Sequence, residues 1–73
     1  MVFTAIVERE ALGFVALCPE LDVASQGGSV EDATRNLREA VELFLETADA
    51  SETEARTRSE VYVTHFEASV ATA

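Results

Sequence analysis

The sequence predicts an α+β fold, β-β-β-α-β, with one helix packed on a four-stranded sheet. Three observations predict it. Residues 2–9, 14–18 and 60–66 are rich in β-branched and aromatic side chains, the composition of strands. Residues 30–48 place apolar side chains at i, i+3, i+4 and i+7, the spacing of an amphipathic helix. Pro19 and the pair Gly27-Gly28 punctuate the chain between these runs. The 73 residues make one domain, 1–73, with a frayed terminus over about 68–73.

Each element has its own reason. Residues 2–9 (VFTAIVER) read as the first strand, Glu10-Ala11-Leu12-Gly13 as a turn with Gly13 available for positive φ, and residues 14–18 (FVALC) as the returning strand of a hairpin. A turn of two or four residues pairs Arg9 with Phe14, Val7 with Ala16 and Ala5 with Cys18. One face then carries Phe3, Ala5, Val7, Phe14, Ala16 and Cys18, and the other Val2, Thr4, Ile6, Val15 and Leu17. Both faces are apolar, whereas a hairpin with one solvated face alternates. Both sides of the sheet are therefore expected to be covered.

Pro19 lacks the ladder donor and ends the second strand. Residues 22–26 (DVASQ) are polar enough for a short edge strand. Gly27-Gly28 permits a sharp turn, Ser29 is the expected N-cap, and Asp32 stands where a capping box places its acid. Glu31 and Asp32 also suit the positive end of the helix dipole. The stripe of the helix is Val30, Ala33, Leu37, Ala40, Val41, Phe44, Leu45 and Ala48; Glu31, Arg35, Arg38, Glu39, Glu42 and Glu46 take the opposite face. Glu31 and Arg35 have favourable i, i+4 spacing for an ion pair. Residues 47–59 lose the apolar period and read as a surface loop with a frayed helical turn allowed. Residues 60–66 (EVYVTHF) are the expected fourth strand.

Composition limits the function. Fourteen acids face five basic residues, all arginine, for a net charge of −9. Such a surface repels phosphate backbones, so direct nucleic-acid binding is not expected. A basic protein partner is electrostatically favoured. No apolar run reaches the roughly 20 residues of a membrane span. The start carries no basic, signal-like segment, and the lone Cys18 suits a reducing compartment. A cytoplasmic protein is expected. A domain this small buries a modest core and has no disulfide, so homo-oligomerisation, as a dimer or larger, is the expected source of further burial.

Candidate chemistry is sparse. His65 is the only histidine and alternates within the last strand, without a nucleophile in motif context. Cys18 precedes Pro19 and reads as a small buried hydrophobe rather than a nucleophile. Glu8, Glu20 and Asp22 lie at strand ends, where hard cations find oxygen ligands, although fourteen acids make chance proximity the stronger explanation. Gly27-Gly28-Ser29 opens a helix as anion sites do, but Glu31 and Asp32 would repel a phosphate. No catalytic, cofactor or metal site is assigned. The helix should pack on the face where Ala5, Ala16 and Cys18 are small. That leaves Val2, Thr4, Ile6, Val15 and Leu17 as the expected interface.

The run PELDVASQG, then SVEDA, then NLREAVELFLE resembles the HicB-like antitoxin domain. The segments FTAIVE and GFVALCPEL are similar to that family's first hairpin. The likeness covers roughly residues 2–46. It implies a partial RNase H-like fold, β-β-β-α-β, and a protein-binding inhibitor that neutralises a small basic mRNA-cleaving toxin of HicA type by occlusion. With 73 residues there is no room for the C-terminal DNA-binding domain that many such antitoxins carry, so a stand-alone domain is expected. The alternatives are a homo-oligomeric domain of unassigned role and a degenerate metal-dependent nuclease.

Overall fold

The computed structural model of the chain describes residues 1–57 and 60–71. Its elements are β1 (Ile6–Glu10), β2 (Gly13–Cys18), β3 (Val23–Gly27), α1 (Val30–Thr47) and α2 (Ala50–Thr57). The fold is mixed α+β. The three strands form an antiparallel sheet in the order β1-β2-β3. The register pairs Arg9 with Phe14 and Val7 with Ala16, as the hairpin parity requires. β3 follows with Ala16 opposite Ser25 and Cys18 opposite Val23.

Two strands start later than the sequence suggests. β1 begins at Ile6 rather than residue 2, because β2 stops at Pro19 and the Thr4 N–H goes instead to the Glu20 carboxylate, at 3.0 and 3.1 Å. β3 begins at Val23 because Asp22 adopts φ 54°, a left-handed conformation that closes the turn over residues 19–22. Asp tolerates that region better than most residues.

The glycines work by close approach, not by handedness. None has positive φ, so Gly13 is not the left-handed turn residue expected of it. A Cβ on Gly13 would stand 2.7 Å from the Gly27 carbonyl oxygen. One on Gly27 would stand 2.5 Å from the Ala33 nitrogen, so bare backbone at Gly27 lets α1 settle onto β3.

α1 starts where the cap was expected. The Ser29 hydroxyl accepts the Asp32 N–H at 3.0 Å. The Asp32 carboxylate turns to Arg35, at 2.5 Å, so Arg35 pairs with Asp32 rather than Glu31. Ala33, Leu37 and Val41 of the helix are buried against Ala16 and Cys18, with Phe44 and Leu45 packed at the margin. Val30, expected in the stripe, is 46 % exposed. The sixth buried core residue is Leu21, in the β2–β3 turn.

Residues 50–57 form α2 where a loop was expected. The Asp49 carboxylate caps it by accepting the Glu52 N–H at 2.8 Å. Arg56 ties α2 to the body. Its guanidinium donates to the Leu21 carbonyl at 2.5 Å, pairs with Glu52 at 3.1 Å and lies 5.1 Å from the Phe44 ring centre. The expected loop and terminus also run into residues 58–59 and 72–73, which lie outside the described ones. Among the described residues the sheet has three strands, and residues 60–66 pair with none of them. Strand composition does not supply a partner edge, and Tyr62 and Phe66 stay 81 % and 88 % exposed.

Candidate functional site

The helix takes the face with the smaller side chains. Ala16 and Cys18 give α1 room to approach, so Leu37 and Val41 fill the space between helix and sheet. Among the described residues no helix lies over the other face. There Ile6, Val15 and Leu17 stand side by side and half-buried, shielded by their strand neighbours alone. Leu17 lies opposite both Ile6 and Ala24, and Val15 opposite both Glu8 and Gln26, so the register makes one continuous patch. Ile6, Glu8, Val15, Leu17 and Ala24 line a shallow depression of about 220 Å³.

Three of the five expected interface residues, Ile6, Val15 and Leu17, are therefore brought together. Val2 and Thr4 are not. Val2 precedes the sheet and is 95 % exposed. Thr4 is held by Glu20, its hydroxyl donating to the carboxylate at 2.7 Å. Ala24, Glu8 and Gln26 join the face unannounced. The signal for Glu8 was the hairpin parity itself, and for Ala24 and Gln26 that parity carried one strand further, once the four-residue turn is known.

A UPF0150 protein of Helicobacter pylori (strain J99) is 42 % identical to this chain over 53 residues, covering 71 % of the chain and 74 % of the relative. The chain belongs to the UPF0150 family. No family model matches it, and no solved structure matches it.

Cys18 and Glu20 of this UPF0150 chain bond to each other, and Glu20 also to Thr4. Cys18 is fully buried, and its thiol donates to Glu20 at 3.6 Å. Burial and the neighbouring carboxylate both push its pKa up, the reverse of what a nucleophile requires. Burial alone would raise the Glu20 carboxyl, but the Thr4 hydroxyl and backbone donors outweigh it and hold that pKa below the ordinary value. Glu20 thus anchors residues 1–5 to the β2–β3 turn. Its carboxylate is occupied by Thr4 and Cys18 rather than turned toward Glu8 or Asp22. Among the described residues no group of three or more His, Cys, Asp or Glu side chains could hold a metal ion. His65 sits exposed in the unpaired 60–66 segment. Among the described residues no helix of this UPF0150 chain is long and apolar enough to cross a membrane.

Proposed function

We propose that this chain is a HicB-like antitoxin, a cytoplasmic protein-binding inhibitor of partial RNase H-like fold. Its partner is a small basic mRNA-cleaving toxin of HicA type, which it neutralises by occlusion. One observation carries the reading: an uncovered apolar sheet face of Ile6, Val15, Leu17 and Ala24 on a chain of net charge −9. Opposite charge steers a basic partner to the domain. Burial of the apolar centre, rimmed by Glu8 and Gln26, then holds it. Such a mode asks no chemistry of the antitoxin, in keeping with a buried Cys18 bonded to Glu20 and a Glu20 engaged by Thr4. Residues 60–66, from the same chain or from a second copy, would supply the fourth strand of the partial RNase H-like sheet. The reading as a metal-dependent nuclease draws no support from Glu8, Glu20 and Asp22, which form no metal-holding group.

The test is co-expression with the small basic protein encoded in the neighbouring reading frame. The two are expected to co-purify, and the chain to restore growth that the partner arrests. Leu17→Asp should weaken the complex tenfold or more, about 1.4 kcal/mol, while leaving the far-UV circular dichroism unchanged. A neighbour that neither binds nor arrests growth overturns the proposal.

A further inference from the structure

The sheet has an unfinished side, and the chain carries an unused strand. The outer edge of β1 pairs with nothing among the described residues. Helix α1 lies over β3 and β2 and only grazes β1. The core-side flank of β1 is therefore open, and a recess of about 270 Å³ lies at its start, beside residues 1–5 that lead into β1, between Phe3, Ala5, Cys18, Leu37 and Val41. Exposed ladder groups beside an apolar recess are a template for one more strand.

Residues 60–66 have the character to fill that place. They alternate Val61, Val63 and His65 on one side with Tyr62, Thr64 and Phe66 on the other. Yet they lie away from their own sheet, in a chain extending 54 × 28 × 16 Å. The radius of gyration is 15.1 Å, against about 11 Å for a compact domain of this length. Donor strand and acceptor edge belong to the same chain, so a two-fold axis satisfies both at once.

We propose that residues 60–66 add as a fourth strand beside β1 of a second copy, in a reciprocal exchange. One side of the arm continues the row of Val7 over the recess, and the other extends the open face beyond Ile6. The area suffices. Burying Tyr62 and Phe66 from both arms removes roughly 600–1,000 Å² at 150–250 Å² per ring. The paired backbones of arm and β1, counted twice, carry the total toward the roughly 1,200–2,000 Å² of a stable interface. The inference stands independently of the antitoxin reading, because it concerns the purified chain alone.

Sedimentation of the full chain across the micromolar range tests it, with three variants. Val63→Pro removes a ladder donor from the arm. Phe66→Glu alters a side chain that is 88 % exposed in the single chain and so leaves its core intact. Leu43→Asp changes an exposed helical residue outside the proposed contact. A wild-type dimer is expected, weakened about tenfold or more by Val63→Pro and by Phe66→Glu and unchanged by Leu43→Asp. Amide exchange on the dimer should show protection across residues 60–66. A monomer throughout the range overturns the proposal, and so does a dimer that ignores both arm variants. A monomer with protected amides at 60–66 would place the strand on its own sheet, and overturns it equally.

Discussion

Leu21 stands in a four-residue turn between Glu20 and Asp22, yet it is fully buried, the largest side chain to be so. It closes the end of the core that α1 and the sheet leave open. Leu21→Ala should cost about 2–5 kcal/mol, read from urea unfolding, a large loss for a domain whose core is six residues among those described. Gly27 and Gly28 are adjacent but unequal. Gly27→Ala forces a Cβ to within 2.5 Å of helix backbone and should cost about 1–3 kcal/mol, whereas Gly28→Ala meets nothing closer than 4.0 Å and should be tolerated. Glu20 sets an acid dependence. Its folded pKa lies below its unfolded value, so its contribution is present above the unfolded pKa and is lost as pH falls through the folded one. Glu20→Gln should flatten that part of the acid limb of a stability–pH curve, leaving stability near neutrality lower by roughly 1 kcal/mol. An acid limb of unchanged slope would refute the role given to the Thr4 bonds.

At the scale of elements, α1 was legible and α2 was not. The apolar period from Ala33 to Leu45 and the Ser29 cap mark α1, and its buried residues, Ala33, Leu37 and Val41, all belong to the expected stripe, with Phe44 and Leu45 half-buried and Val30 exposed. α2 has no buried residues, so it has no stripe to read. Its signal was the cap: Asp49 with Glu52 three residues on is a capping pattern. A cap alone does not hold eight residues as a helix in water. The Arg56 contacts to Leu21 and Phe44 do that, and they join residues far apart in sequence. Arg56→Ala should therefore speed amide exchange in α2 with little change in α1 or the sheet. If α1 exchanges faster to the same degree, the helices open as one unit and the tether is not local.

For the whole molecule, the open face and the unpaired 60–66 segment matter together. Single charges placed on the open face should be borne by the isolated chain. Ile6→Asp is expected to lower stability by less than about 1.5 kcal/mol, because Ile6 is only half-buried in the single chain. Association should suffer far more, since the same substitution desolvates a charge in any complex that covers the face. Thermal unfolding of the dilute chain beside binding to the co-purified partner separates the two effects. An Ile6→Asp chain that is unfolded when dilute would mean that this face is already covered within one copy.

Period and parity are local properties, and they were enough for the hairpin register, the helix with its cap, and the division of β1 and β2 into two apolar faces. The choice of covered face followed from side-chain size, since Ala16 and Cys18 admit a helix and Ile6 and Leu17 do not. Composition likewise set the acidic surface. Three things depended on groups that meet only in space. Thr4 stands apart from the open sheet face because Glu20, sixteen residues on, takes its donors. Leu21 entered the core because the β2–β3 turn brings it into one buried cluster with Ala16, Cys18 and the apolar side chains of α1. Residues 60–66 kept strand character without becoming a strand, because a strand exists only where another edge accepts its hydrogen bonds.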